Sequence, residues 1–291
     1  MNCIAYGEVL WDVYPDKSVI GGAPLNFAAH LSLLGENVFL ITGIGHDKLG
    51  EKTLECIKSY GINTDYISVN DKSTGECRVT LDESGVPTYR IMTDSAYDNI
   101  RLDSETVAKL GQIKADLFYF NTLAQRSPVS RETLKKLLGV IDAKTVMCDL
   151  NIRQNCYDKD SVELCLSRAD VVKLSSEEAH FLTDIGAVEG GENIFDNIHR
   201  QYPNISLLVY TMGGDGSMVY DYVNGKTYCS GKPENVKVVS TVGAGDCYGA
   251  SFIKKYLDGC GIDEAISFAA HRSSIVVAHK EAIPECLSIN A

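Results

Sequence analysis

The sequence predicts an α/β fold in which helices cover both faces of a mainly parallel sheet. Strand-like apolar runs alternate with helix-length segments along most of the 291 residues. Residues that favour helix ends stand at the right places: Pro24 suits a first helical position, and Gly35 and Gly61 suit C-terminal caps. The composition, 45% hydrophobic and 23% charged, is that of a globular chain able to bury a large core.

The strand-then-helix order can be followed along the chain. The run CIAYGEVLW precedes PLNFAAHLSLLG, and VFLITGIG precedes DKLGEKTLECIKSYG. Further strand-like runs are DLFYFNTL, TVMCDL, DVVKLS and SLLVYTM, most of them followed by a segment of helical length. Strands that alternate with helices are typical of parallel sheets, because the helix provides the crossover connection.

Two stretches interrupt this order. Residues 72–93 alternate like two strands joined by a turn at Glu83–Gly85, and residues 13–20 are extended. We interpret them as one small β-layer inserted into the α/β body, where it would form a lid; the alternative is an ordinary surface hairpin. The predicted division is a body of residues 1–12, 20–71 and 99–291 and a β lid of residues 13–19 and 72–98.

Charge and cysteine usage limit the partners and the compartment. The net charge is −12 without a run of lysines or arginines, which argues against nucleic acid and against anionic membranes as partners. The N-terminal residues contain no basic segment of a secretory signal, and no apolar stretch reaches the length of a membrane span. Ten cysteines without a C-x-x-C pair favour a reducing, cytoplasmic location.

The stretch VSTVGAGDCYGASF, residues 239–252, predicts an anion site at a strand-to-helix turn. Gly243 and Gly245 carry no side chain, so a phosphate could approach the backbone N–H groups at the start of the helix. Asp246 beside such a pocket would repel an anion unless its role is to accept a proton. The alternative is that Asp246 is only a helix N-cap and the glycines only a tight turn.

A second polar cluster surrounds the start of the helix GGAPLNFAAHLSLLG, residues 21–35. Asn26 lies in its first turn, where an amide can both donate to and accept from a polar ligand. Asp12 ends the first strand pattern and could accept from two hydroxyls, although turn capping is the other interpretation. Polar residues also follow later strands, in CDLNIR (148–153), KLSSEEAHFL (173–182) and YTMGGDGSMVY (210–220), where open parallel sheets bind ligands.

Two familiar nucleotide-binding patterns are absent. NGKT at 224–227 resembles the end of a P-loop, but Tyr220 stands where that loop needs a glycine, and an Asn-Gly hairpin is the better interpretation. GAGDCY has Tyr248 at the third glycine of the dinucleotide fingerprint, which argues against an oxidoreductase.

Taken in chain order, these polar stretches resemble the ribokinase-type (PfkB) carbohydrate kinases over the whole chain. GGAPLNFAAHLSLLG is similar to the N-terminal signature of that family and STVGAGDCYGASF to its C-terminal one, while GEVLWDVYP is most similar to the fructokinase branch. The resemblance implies a ribokinase-like three-layer α/β/α body with a small β-sheet lid, ATP and Mg²⁺ as cofactors, and a homodimer formed through the lid.

The resemblance also implies roles for single residues. Asp246 would be the catalytic base, and Gly243, Ala244 and Gly245 the anion hole. The sugar would contact Asp12, Gly22, Asn26, Arg90 and Arg153. The nucleotide side would include Asn151, Lys173, Thr211, Gly213 and Gly216, and Glu178 would hold Mg²⁺ through water.

Three positions depart from the family pattern. Ser240 replaces an aspartate that contributes to a monovalent-cation site, which argues against activation by K⁺. Ser175 replaces a frequent asparagine near Glu178, and Glu281–Ala282 replaces a Gly-Ala pair near the adenine.

The expected reaction is ATP-dependent phosphorylation of a sugar primary hydroxyl, first of all fructose to fructose 6-phosphate. The alternatives within the fold are a 2-keto-3-deoxy sugar acid, whose carboxylate would need a cation such as Arg78, Arg90 or Arg153, and ribose or a nucleoside. The alternative from another class is a non-catalytic protein that senses sugar or nucleotide and has kept the fold.

Overall fold

The computed structural model describes residues 1–81, 87–153, 155–191, 193–231 and 236–287. The strands are β1 Asn2–Tyr6, β2 Leu10–Val13, β3 Ser18–Gly21, β4 Asn37–Ile41, β5 Gly43–Gly45, β6 Ser68–Asn70, β7 Gly75–Leu81, β8 Pro87–Ile91, β9 Ala115–Asn121, β10 Ala143–Asp149, β11 Val171–Ser175, β12 Leu207–Thr211, β13 Ser217–Asp221 and β14 Lys226–Ser230. The helices are α1 Ala23–Leu33, α2 Lys48–Ser59, α3 Ser104–Gly111, α4 Pro128–Val140, α5 Lys159–Arg168, α6 Ser176–Asp184, α7 Ile194–Gln201, α8 Ala244–Leu257 and α9 Ile262–Val277. Short 3₁₀ helices occur at Ala96–Asn99, Leu123–Arg126, Gly213–Asp215 and Glu285–Leu287.

Eight strands form the main sheet, in the order β14-β13-β12-β11-β10-β9-β1-β4. The pairs from β12 to β4 are all parallel, and β13 and β14 add an antiparallel hairpin at one edge. The prediction of a mainly parallel sheet is therefore confirmed. The hairpin expected around NGKT is also present, with Gly225 at φ 62° in its turn.

Helices cover both faces of this sheet, because successive strand residues point to opposite sides. In β1, Ile4 and Tyr6 belong to a core cluster that contains residues of α3 to α7, whereas Cys3 and Ala5 belong to a cluster with residues of α1, α2, α8 and α9. Each large apolar side chain buried in these cores contributes roughly 1.5–3 kcal/mol. Among the described helices, none is long and apolar enough to cross a membrane.

A second sheet has four strands in the order β3-β2-β7-β8, and we call it the small sheet. It joins the two stretches that interrupt the strand-helix order, and β2 lies parallel to β7. Its strands extend beyond the expected lid boundaries of 13 and 19, since β2 begins at Leu10 and β3 ends at Gly21. The turn expected at Glu83–Gly85 lies outside the described residues.

The first strand run, CIAYGEVLW, is split between the two sheets. Gly7 has φ 149°, and a Cβ at this position would lie 2.6 Å from Cγ of Pro24 at the start of α1. The chain therefore leaves the main sheet at Tyr6, passes the N-terminus of α1 and enters the small sheet at Leu10. This path puts Asp12 on the small sheet and buries Glu8 beneath α1.

Candidate active site

A cavity of about 620 Å³ lies where carboxyl ends of the main-sheet strands meet the N-termini of α1 and α8 and one face of the small sheet. Such a place is where open parallel sheets bind ligands. Most of the residues predicted for the site line this cavity: Asp12, Gly22, Asn26, Asn151, Arg153, Lys173, Glu178, Thr211, Gly243, Gly245 and Asp246.

The turn before α8 has the features of an anion site. Its N-cap residue Gly243 has the left-handed φ of 77°, and a Cβ there would lie 2.4 Å from Cβ of Ala282. Gly245 faces the cavity without a side chain, and a Cβ there would lie 3.4 Å from Nζ of Lys173. N–H of Ala244 donates to the carbonyl oxygen of Thr241, and the other N–H groups of the first turn, together with the helix dipole, favour a phosphate at this point.

Asp246 lies in the first turn of α8 and is held by α1. Its Oδ2 accepts a hydrogen bond of 2.8 Å from Nδ2 of Asn26. Burial and then the negative charge of Asp149 raise the pKa of Asp246 to about 6, against the opposing effects of Asn26, Lys173 and Arg153. The carboxyl group is therefore charged at neutral pH and can accept a proton from a neighbouring hydroxyl.

A buried ion pair lies beneath the glycine turn. Nζ of Lys173, from β11, donates to Oδ2 of Asp149, at the end of β10, over 2.7 Å. Burial acts to lower the pKa of Lys173, but the carboxylates of Asp149 and Glu178 outweigh it and raise the pKa. Lys173 is therefore a fixed positive charge beside the anion turn.

Glu178 is positioned by the start of α6. Its Oε2 accepts from N–H of Ser175 over 2.7 Å in a capping box, and its Oε1 accepts from N–H of Ile152 over 2.6 Å. Burial, followed by the charge of Asp149, raises the pKa of Glu178. Because both oxygens already bind main-chain N–H groups, this carboxylate fits a hydrated magnesium ion held mainly by phosphates better than an ion bound by protein ligands alone.

The sugar end of the cavity lies against the small sheet. Asp12 is half-buried on β2, and burial raises its pKa although a hydrogen bond from the Cys77 thiol and the charge of Arg153 oppose the shift. Arg153 lines the cavity, and its charge also acts on Glu8 and Asp246.

Arg90 is the predicted contact that the structure does not bring into the site. On β8 the side chains of Tyr89 and Ile91 line the cavity, and Arg90 points to the opposite face and is exposed. It pairs across the strands with Arg78, which is exposed as well. Because side chains alternate along a strand, Arg90 cannot share the face of its neighbours, and the expectation of a sugar contact is wrong for this geometry.

The predicted nucleotide loop follows β12. Thr211 lines the cavity at the end of the strand, whereas Gly213 and Gly216 shape the turn behind it. Gly216 has φ 98°, and a Cβ there would lie 2.5 Å from the carbonyl oxygen of Ser230. Asn151 lies at the cavity with a positive φ of 44°.

Several residues at the cavity were missed by sequence reasoning. Asp149 could have been found, since it ends a strand beside Asn151. The others come from loops and from the small sheet, whose register the sequence pattern does not define. They are Glu8, Tyr14, Lys17, Cys77, Tyr89 and Lys280.

Comparisons with known proteins agree with this fold. The chain is 26% identical over 309 residues to a probable fructokinase-5 of Arabidopsis thaliana, covering 97% of this chain and 93% of the relative. It is 28% identical over 271 residues to a 5-dehydro-2-deoxygluconokinase of Clostridium perfringens, covering 89% and 78%. A crystal structure of fructokinase from Vibrio cholerae O395 with fructose, ADP and a calcium ion has the same fold, with a TM-score of 0.80, 21% identity, and coverage of 98% and 95%. The profile of the pfkB family carbohydrate kinases matches residues 5–290, and the chain therefore belongs to that family of sugar kinases.

Proposed function

We propose that this protein transfers the γ-phosphate of ATP to a primary hydroxyl of a sugar, with fructose as the first candidate and fructose 6-phosphate as its product. One observation carries the proposal. The carboxyl group of Asp246 is held at the cavity by Asn26, next to Gly243 and Gly245, which carry no side chain. A proton acceptor and a phosphate cradle thus stand side by side.

Asp246 would act as a general base during attack. A sugar hydroxyl has a much higher pKa than a carboxyl group, so Asp246 cannot ionise it in advance. It can orient the hydroxyl and take its proton late, as the new O–P bond forms. The N–H groups of the α8 turn and the charge of Lys173 would stabilise the moving phosphoryl group. When bound with ATP, Mg²⁺ would neutralise phosphate charge beside Glu178, which fits a hydrated ion.

The choice of sugar rests on the small-sheet end of the cavity. Asp12 and Asn26 can bind several hydroxyl groups, which suits fructose, and one of the relatives is a probable fructokinase. A sugar acid is the second candidate, because Lys17 and Arg153 both line the cavity and could bind a carboxylate. A relative that is a 5-dehydro-2-deoxygluconokinase supports this second class. Ribose or a nucleoside is the third candidate.

A coupled ADP-release assay tests the proposal directly. Fructose, glucose, ribose, a 2-keto-3-deoxy sugar acid, a 5-keto-2-deoxy sugar acid and adenosine would each be supplied with Mg·ATP, with and without K⁺. We expect ADP release that depends on fructose and does not require K⁺. Binding of sugar or ATP without any sugar-dependent ADP release would contradict the proposal and favour a sensing protein.

The Asp246→Asn variant tests the assignment of the base. Asparagine keeps the size of the side chain and an oxygen for Asn26, but it cannot take a proton. We expect turnover to fall by a factor of roughly 100 or more, with binding of sugar and ATP retained. Asp258→Asn, at the other end of α8, is the matched control and should keep its turnover. Turnover of Asp246→Asn within a few-fold of the wild type would contradict the assignment.

Location, metal and oligomeric state complete the proposal. We propose a cytoplasmic, Mg²⁺-dependent enzyme that forms a homodimer through the small sheet. Sedimentation equilibrium of the purified chain would test the dimer, and removal of Mg²⁺ with a chelator would test the metal requirement.

A further inference from the structure

We propose that Glu8 is a positioning residue that binds the N-terminus of α1 and thereby keeps Asn26 and Asp246 in place. The inference rests on the proposed function for its kinetic part, and on the structure alone for its effect on α1. It concerns a carboxyl group that is buried in the cavity wall beside the start of α1, whereas Asp246 lies in the first turn of α8.

The first helical turn of α1 lacks a cap of its own. Its N-cap residue is Gly22, no side chain within the turn accepts its N–H groups, and its first turn contains no acidic residue. Pro24 carries no N–H, so few donors remain at this helix end. A carboxylate from elsewhere in the chain can supply the missing acceptor and the favourable charge.

Glu8 is that carboxyl group. Its Oε1 accepts from N–H of Ala23 over 3.2 Å and from Nδ2 of Asn121 over 2.9 Å. The backbone is equally close, because a Cβ on Gly22, at φ 114°, would lie 2.5 Å from the carbonyl oxygen of Glu8. Glu8 therefore connects β9, which ends at Asn121, with the start of α1.

The position of the first turn of α1 determines the position of the Asn26 side chain, which contacts Asp246. N–H of Asn26 donates to the carbonyl oxygen of Gly22 over 2.9 Å, and its side-chain Nδ2 donates to Asp246. A shift of the first turn would therefore move the amide that orients the Asp246 carboxyl. Small displacements of such groups reduce rates strongly.

Glu8 is one of the residues that line the cavity, but almost none of its surface is accessible to a sugar. The side chain is only 1% exposed, and its second oxygen, Oε2, is buried and has no hydrogen-bond partner among the described residues. Burial raises the pKa of Glu8 to about 7. When Oε2 carries a proton, Oε1 can still accept from Ala23 and Asn121. The positioning role therefore requires the length of the Glu8 side chain more than its negative charge.

Two conservative variants of Glu8 distinguish the effect of side-chain length from the effect of charge. Glu8→Gln keeps the length and an accepting oxygen, whereas Glu8→Asp keeps the acid but shortens the side chain by one methylene. We expect Glu8→Asp to lower kcat/KM for the sugar by a factor of about 10, with KM for ATP within twofold of the wild type. Glu8→Gln should stay within about threefold of the wild type.

Hydrogen exchange provides a measurement that does not need activity. In Glu8→Asp, amide exchange in peptides covering the first turn of α1 should become faster, while Glu8→Gln should resemble the wild type. Asp103→Ala is the matched control, because Asp103 caps the distant α3 through N–H of Thr106. It should speed exchange in α3 and leave kcat/KM unchanged.

Three results would overturn the inference. The first is that Glu8→Asp shows the same amide exchange in α1 and the same kcat/KM as the wild type. The second is that Glu8→Gln loses as much kcat/KM as Glu8→Asp, and the third is that Asp103→Ala shows the same loss of kcat/KM. If the wild type releases no ADP with any sugar, the proposed function fails, and the exchange data still decide whether Glu8 positions α1.

Discussion

The burial that raises the pKa of the Asp246 carboxyl group lowers the stability of the folded protein. Its pKa rises from an ordinary 3.8 to about 6 on folding, so the folded protein binds a proton at this group more strongly than the unfolded chain does. A carboxyl whose folded pKa is raised destabilises the fold once the pH exceeds the unfolded value. The destabilisation grows between about pH 4 and pH 6 and stays constant above that range.

Asp246→Asn should therefore stabilise the protein while lowering its turnover by a factor of roughly 100 or more. The rise of the Asp246 pKa from 3.8 to about 6 corresponds to at most about 3 kcal/mol, and the partial exposure of Asp246 reduces the expected gain in stability to about 1–2 kcal/mol at pH 8. The gain should shrink as the pH falls toward 4.5, where the wild-type carboxyl is neutral in the folded state. Urea unfolding at both pH values measures it, and an equal or lower stability of the variant at pH 8 would contradict the raised pKa.

At the scale of single elements, the turn into α8 depends on a glycine for two reasons. Gly243 has a left-handed φ of 77°, and a Cβ would collide with Ala282, whose carbonyl oxygen is in turn bound by Nε2 of the buried His30. Ala282 is thus fixed from behind and cannot easily move away. Ala282, one of the residues that depart from the family pattern, therefore packs directly on the turn into α8.

Gly243→Ala and Gly139→Ala should have opposite effects. At Gly243 the strained φ and the contact with Ala282 should lower the free energy of unfolding by about 1–3 kcal/mol and weaken ATP binding. At Gly139, in α4, a Cβ meets no atom within 4 Å, so alanine should add about 0.5–1 kcal/mol. Thermal unfolding with and without ATP compares the two, and equal effects would contradict the role of the turn.

The elements that the sequence predicts well are those with local signals. Pro24, Gly35 and the glycines around Asp246 indicate helix ends through local backbone preferences, which do not depend on tertiary contacts. They therefore predicted the turn before α8. The passage of the chain from the main sheet to the small sheet at Gly7 has no such local signal, because it depends on the close contact of Gly7 with Pro24. For this reason the sequence did not indicate the position of Glu8. The sequence did not predict the position of Arg90 because the side of the small sheet on which each β8 residue lies depends on the β7–β8 register, in which Arg78 pairs with Arg90. A strand pattern alone does not define that register.

At the scale of the whole molecule, one arginine joins the small sheet to the body. Arg126 follows β9 and makes a two-pronged ion pair with the carboxylate of Asp98, with N···O distances of 2.8 and 2.7 Å. It also donates to the carbonyl oxygen of Met92, just after β8, and to the hydroxyl of Tyr97. The Tyr97 ring lies against Gly75, the first residue of β7, so the two ends of the β7–β8 hairpin meet at this cluster.

Arg126→Met should loosen this connection by leaving a charge buried alone. Asp98 is 3% exposed, and loss of its partner should lower the free energy of unfolding by about 3–5 kcal/mol. Adding Asp98→Asn removes the isolated charge and keeps an acceptor for N–H of Ser95, so the double variant should be more stable than Arg126→Met alone. Urea unfolding gives the energies, and hydrogen exchange across residues 87–99 locates the change. A double variant less stable than Arg126→Met would contradict this prediction, because the cost of the single change would then not come from an unpaired buried charge.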